Sequence, residues 1–254
     1  MRPDESFLQS VVEAFRKGFR AAWQNLPSML ALQLAMAFTV VAYYNWPVAA
    51  DLLSRYADWQ HRGGILAAAL ATALAGGVLS ELSAVYIGDK GRWIPAHLEN
   101  MVFKFVLFFI AGALVYEFYA FQAIWFGQGA TWSVLVPKVL VDQFGYTVFF
   151  ATPFYTVLTR WKALGYSGAA LWRELDAFFV TEWMLPILVT NWMFWFPAVS
   201  LIYSMPLVLQ TPLFIFATAI WGLLLAAVAQ QKRSGTPAPD LISSETNLVG
   251  NAAD

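Results

Sequence analysis

Four carboxylates stand inside otherwise apolar runs of this sequence: Glu81, Glu117, Asp142 and Glu182. A carboxylate at membrane depth costs ~3 kcal/mol on insertion scales, so it turns toward a bundle interior, a partner or water. Glu117 lies in GALVYEFYAFQAIWFG, with Tyr116 and Tyr119 beside it and Gln122 about one turn further on, and is the best single candidate for a functional ionisable group. Asp142 opens PKVLVDQFGYTVFFATPFY, and Lys138 precedes it by four residues, a spacing that lets the two pair on one helix face. Read plainly, Lys138 and Asp142 are an ion pair at a helix start. Read functionally, Asp142 and Gln143 join Glu117, Gln122, Asn191 and Gln210 as a polar lining in the half of a bilayer opposite the chain termini. Glu81 and Glu182 lie nearer the cationic side, where Lys104, Arg173 or headgroups would neutralise them. Asn191, inside TNWMFWFP, reads first as an amide tying two helices together for ~1 kcal/mol or less.

Other chemistry has little to stand on. The chain has no cysteine, which removes thiolate metal sites, disulfides and a cysteine nucleophile. His61 and His97 fall in predicted loops on opposite sides of the membrane, too far apart for one metal or proton-transfer site. No H-E-x-x-H, G-x-S-x-G or P-loop pattern occurs. No enzyme, catalytic residue, metal site or cofactor is expected.

The elements that must position these groups are six apolar stretches, roughly 28–46, 64–87, 104–126, 139–159, 178–203 and 207–230. Each is close to the ~20 residues that ~30 Å of hydrocarbon requires. Composition agrees: 59% of residues are hydrophobic, 12% are charged and mean hydropathy is +0.58. The fold class expected is all-α, a polytopic membrane helix bundle of about six spans. Twelve of the fifteen Lys and Arg residues fall on one side of that drawing, and only Arg55, Arg62 and Lys138 on the other. Because Lys and Arg resist translocation in short loops, both termini are expected on the cytoplasmic or equivalent side. No basic stripe of the nucleic-acid-binding type is present.

Three regions follow. Residues 1–26 put Leu8, Val11, Val12, Phe15, Phe19, Ala22 and Trp23 at helical spacing among charges, an amphipathic helix for the interface. Residues 27–231 form the transmembrane domain, and 232–254 read as a disordered tail without a periodic apolar face. Within the second span Ala69, Thr72, Ala73, Gly76, Ser80 and Ser83 form one small-residue stripe, read as close helix packing. Pro197 to Pro206 suggests a broken hairpin between the last two spans.

Three stretches carry a resemblance. Lys138, Asp142 and Gln143 reproduce a K-x-x-x-D-Q run. FWFPAVSLIYSMPLVLQTPLFIFATAIW places Pro206 and Trp221 at a Pro-to-Trp spacing, with Pro197 upstream and Gln210 where an Arg would stand. SELSAVYIGD ends an early helix on Gly88 and Asp89. In this order, over residues 80–221, they resemble the Mpv-seventeen and PMP-twenty-two family of integral membrane proteins. That resemblance implies a small helical membrane protein, often a weakly selective channel, without enzymatic activity.

The function expected is a polar pathway or channel for small solutes or ions. Its alternative is a non-transporting membrane scaffold or assembly factor that binds another membrane protein or lipid. The partners expected are the lipid bilayer and either a second copy or another membrane protein, not nucleic acid. The location expected is a bacterial inner membrane, with the mitochondrial inner or the peroxisomal membrane as alternatives.

Overall fold

A computed structural model of the chain describes residues 3–24, 26–88, 91–176 and 179–233, and every regular element in them is helical. Helix α1 is Pro3–Gln24 and α2 is Leu26–Asn45. Helix α3, Pro47–Ala73, continues through a wide π-helical segment Leu74–Leu79, a turn Ser80–Ser83 and a second π segment Ala84–Gly88. Helix α4 is Pro95–Phe126. Helix α5, Trp132–Leu140, runs through the π segment Val141–Ala151 into α6, Thr152–Ala163. Helix α7, Gly168–Glu174, is short. The π turn Val180–Met184 leads into α8, Leu185–Tyr203, and α9 is Leu207–Arg233.

Four of these helices are long and apolar enough to cross a membrane: Pro47–Tyr86, Pro95–Phe126, Trp132–Ala163 and Val180–Tyr203. Shorter apolar helices occupy Met29–Asn45 and Leu207–Ala219. The tail expected over 232–254 lies outside the described residues from 234 onward, as do Arg2, Asp89 and Lys90. Lys232 and Arg233 end α9 rather than opening the tail.

The loop expected between the first two spans is helical. Trp46 is extended, Pro47 takes the first helical position where its missing N–H is harmless, and the helix then runs on to Gly64. Gly64 adopts φ 57° and ψ −146°, a backbone state open to glycine, and bends the helix there. Forty residues of helix measure ~60 Å, about twice a hydrocarbon layer, so the break divides two different tasks. Before it, Asp51 pairs with Arg55 at 2.9 Å among exposed Val48, Leu52 and Trp59. After it, Ala67, Ala68, Ala69, Thr72 and Ala73 are buried.

The small-residue stripe is consumed inside the bundle. Ala69, Thr72, Ala73, Gly76, Ser80 and Ser83 are all buried. A Cβ on Gly77 would sit 2.7 Å from the backbone of Phe105, and one on Gly112 would sit 2.6 Å from Thr72, so α3 and α4 touch nearly backbone to backbone. Helix α9 then packs along α3 and its continuation, and also meets α2, α4 and α8. The apolar core gathers Val115, Tyr119, Val139, Val199, Ile202, Tyr203, Leu209 and Leu213 where α4, α5, α8 and α9 meet. Outward faces carry Phe149, Ile124 and Trp132, each more than three-quarters exposed at 80%, 77% and 79%, a surface suited to lipid rather than water.

The hairpin expected around Pro197 to Pro206 bends at one end only. Pro197 lies within α8, and the chain turns at Ser204–Pro206 between α8 and α9. Helix α1 lies against α8: a Cβ on Gly18 would stand 2.7 Å from the Pro186 carbonyl, and Thr190 Oγ1 donates to the Gly18 carbonyl at 3.3 Å.

Candidate functional site

The site centres on Asp142, 5% exposed at the start of the Val141–Ala151 segment. Its Oδ2 accepts from the Tyr203 hydroxyl at 2.6 Å, and its Oδ1 accepts from Gln143 Nε2 at 2.8 Å and Thr147 Oγ1 at 3.5 Å. Gln122 Nε2 donates to the Tyr203 hydroxyl at 2.8 Å and to the Lys138 carbonyl at 3.2 Å. Trp192 Nε1 donates to the Gln143 carbonyl at 2.9 Å. Four pieces of chain therefore meet here: the end of α4, the α5–π junction, and the middle and end of α8.

The wide turn is what lets Asp142 and Thr147 share a bond. In an α-helix residues five apart point ~140° away from each other, whereas a π turn closes i to i+5 and brings them onto adjoining turns. The same widening changes the expected Lys138–Asp142 ion pair. The helix leaves α geometry at Val141, the carboxylate turns to Tyr203, and no ion pair closes between Lys138 and Asp142 among the described residues. Lys138 is 1% exposed, its Nζ has no hydrogen-bond partner among the described residues, and it stands 5.8 Å from the centre of the Tyr203 ring.

Gln122, Asp142 and Gln143 thus come together, while Glu117 and Asn191 do not join them. Glu117 is exposed, on the same outward face of α4 as Ile110, Phe121 and Ile124. The reason is helical phase: five residues separate it from Gln122, ~140° around α4. Asn191 is half-buried, and no hydrogen bond links it to the cluster among the described residues, although its neighbour Trp192 reaches in. Gln210 is buried separately, donating to the Met205 carbonyl at 3.0 Å.

From this cluster a buried polar seam runs down the α5–α6 helix: Lys138, Asp142, Gln143, Thr147, Thr152, Thr156 and Lys162 are all at most 9% exposed. The twenty-five residues of continuous helix from Lys138 to Lys162 are long enough to cover the ~30 Å of a bilayer core. The Thr156 hydroxyl caps its unit by donating to the Thr152 carbonyl at 2.7 Å. The threonines of this seam are functional candidates that the reading of charges and amides missed. Their spacing of five and four residues is visible in the sequence, but only the structure shows that they face inward.

At the far end of the seam lies a second polar cluster. Glu81, 2% exposed, accepts from Lys104 at 3.1 Å and Asn100 at 3.4 Å, and its Oε1 lies 2.7 Å from His97 Nδ1. Lys162 bonds Asn100 and lies 3.8 Å from Glu99, which accepts from the Tyr166 hydroxyl at 2.9 Å. Burial and the adjoining Glu99 push the Tyr166 hydroxyl up to about 12. Neutralisation of Glu81 by Lys104 follows the expectation. His97, expected in a loop, is instead buried in the first turns of α4. Glu182 pairs with Lys17 at 3.4 Å rather than with Lys104 or Arg173, and both partners are half exposed.

Among the described residues no group of three or more His, Asp or Glu side chains is arranged to hold a metal ion. The chain matches no family model, no curated protein and no solved structure.

Proposed function

We propose that this is an integral membrane protein providing a polar pathway for small solutes or ions, with the Lys138–Lys162 seam as its wall. The observation that carries this reading is the seam itself: seven buried polar side chains on one helix, spaced over the depth of a bilayer. Amides, hydroxyls and two lysines along a protein-facing side must each be desolvated and answered, a cost that a route for polar solutes explains. The pathway passes Gln122, Asp142 and Gln143 at one end and Asn100 and Lys162 at the other. Glu117 and Asn191 lie off this route.

In this reading the chain crosses the bilayer six times, adding α2 and α9 to the four longer spans. Helix α1 lies in the interface, both termini share the cationic side, and the resemblance to the Mpv-seventeen and PMP-twenty-two family marks a relationship. A bacterial inner membrane suits it best. The test is reconstitution: purified protein in vesicles is expected to raise permeability to small solutes, and Thr152→Leu with Thr156→Leu to reduce it. Permeability equal to that of empty vesicles would remove the proposal.

The alternative, a scaffold for another membrane protein, draws support from one observation. Glu117 stands on an outward apolar face, where a partner helix carrying a donor would relieve it. The small-residue stripe lends no such support, because α4 and α9 already cover it.

A further inference from the structure

An open groove of about 800 Å³ lies where α1 meets α8, lined by Phe15, Arg16, Phe19, Arg20 and Trp23 from α1 and Val189 from α8. At ~100° per residue the five α1 positions share an arc of ~140° on the helix. Phe15, Phe19 and Trp23 follow one another at intervals of four, and the last two rings stack with centroids 6.1 Å apart. Arg16 and Arg20, one position further on, form a cationic row beside them. The groove keeps its shape because α1 is seated on α8. Ala14 is buried, a Cβ on Gly18 would meet the Pro186 carbonyl, and the Thr190 hydroxyl donates to the Gly18 carbonyl.

Both rows call for an occupant. Phe15, Phe19 and Trp23 are exposed side by side, a surface that hydrocarbon covers better than water. The cationic row is largely unspent. Lys17 is taken by Glu182, Arg16 reaches Glu13 only at 3.9 Å with both side chains more than half exposed, and Arg20 forms no ion pair among the described residues. An exposed pair of that length contributes little and leaves most of the Arg16 donors available. An apolar row beside two guanidinium groups matches a molecule in which an acyl chain is joined to a phosphate, whose oxygens guanidinium groups take two at a time. A headgroup carrying its own ammonium would set that cation against Arg16 and Arg20, so a lipid of net negative charge fits better than a zwitterionic one. We propose that the α1–α8 groove is a binding site for an anionic glycerophospholipid, with its phosphate on Arg16 and Arg20 and an acyl chain along Phe15, Phe19 and Trp23.

This rests on the interfacial placement of α1 proposed above and is independent of solute flux. The full-length protein in detergent is titrated with dioleoyl phosphatidylglycerol or dioleoyl phosphatidylcholine, and bound lipid is counted by native mass spectrometry. The wild type is expected to retain phosphatidylglycerol about tenfold more tightly. Each arginine near an anionic lipid is worth about a factor of five, so Arg16→Gln or Arg20→Gln should weaken phosphatidylglycerol about fivefold and the double variant about twentyfold to thirtyfold. Phosphatidylcholine retention is expected to stay unchanged in these variants, which also shows that they remain folded. Phe19→Ala should weaken both lipids, and Arg173→Gln, on α7 and outside the groove, neither. Displacement of phosphatidylglycerol by an equal concentration of glycerol phosphate would mark a site for free phosphate and overturn the lipid assignment. Equal retention of the two lipids, or of phosphatidylglycerol by the wild type and the double variant, would overturn the proposal while leaving α1 at the interface. A dimer in lipid-free detergent that Phe19→Arg splits, with phosphatidylglycerol retention unaffected, would put a second copy in the groove and overturn it as well. Retention of neither lipid would overturn both the site and the interfacial placement.

Discussion

The Tyr203 hydroxyl donates to Asp142 Oδ2 over 2.6 Å, joining the last residue of α8 to the first turn of a π-helical segment sixty-one positions earlier. Both groups are buried, and Gln122 completes the bond from α4. Removing that hydroxyl strands a carboxylate oxygen and an amide hydrogen in the core. Tyr203→Phe is expected to destabilise the protein by about 1–3 kcal/mol, the cost of a buried unsatisfied partner, and more where the partner is charged. Thermal unfolding in detergent measures this. A melting temperature equal to that of the wild type would mean that the network contributes nothing to the fold.

The close approach of the α3 continuation to α4 offers a test of packing, with a control on α7. Gly77→Ala places a methyl group 2.7 Å from Phe105 backbone atoms, which have no rotamer to escape into. A loss of about 1–3 kcal/mol follows from overpacking. Gly168→Ala meets nothing within 4 Å at the start of α7 and is expected to be neutral. The same unfolding assay should separate them; equal melting temperatures would contradict the close α3–α4 approach.

Glu174, outside the spans, accepts from Arg160 in two places, at 2.6 and 2.8 Å, and those hydrogen bonds hold its carboxyl below the ordinary glutamate value. Because the folded value is depressed, the contribution is present above the unfolded carboxylate pKa and fades as pH falls through the folded one. The pair is partly solvated, so the effect is about 0.5 kcal/mol. Glu174→Gln should melt slightly below the wild type at pH 7 and together with it below the carboxylate range. A constant gap across pH would show that the carboxylate charge is not involved.

Glu117→Leu is expected to leave solute flux unchanged, because Glu117 faces away from the seam. It should also ease membrane insertion by up to ~3 kcal/mol. Reduced flux in this variant would return Glu117 to the pathway, through a contact between copies.

The lack of any cysteine in the chain makes topology directly testable. Single cysteines at Ser10 and Ser167 are expected to react with a membrane-impermeant reagent from one side, and those at Asp58 and Ser133 from the other. Ser10 and Ser133 labelled from the same side would break the six-pass arrangement.

The membrane class and the long spans were legible because hydropathy depends only on composition over twenty residues: 104–126 falls inside Pro95–Phe126, and 178–203 nearly matches Val180–Tyr203. Gly64 begins the second apolar stretch both in the sequence and at the bend. Gln122, Asp142 and Gln143 were found because amides and carboxylates are expensive in such segments. Tyr203 was not, since nothing near it announces a partner on another helix. Lys138 and Asp142 carry the spacing of an α-helical pair, and the π turn that separates them has no local signature in VDQFGYTVFFA. Glu117 shows the limit most clearly: its depth follows from the sequence, but the direction it faces depends on how α4 packs against α3.

Helix α9 follows the other described helices in the chain, yet it lies against α2, α3, α4 and α8. Until it inserts, the buried faces of Ser80, Ser83 and Leu209's neighbours Ile202 and Tyr203 lack their cover. The groove that α9 fills is therefore built wholly from segments that precede it, and a chain stopped after Pro206 would present that groove uncovered rather than a smaller working bundle.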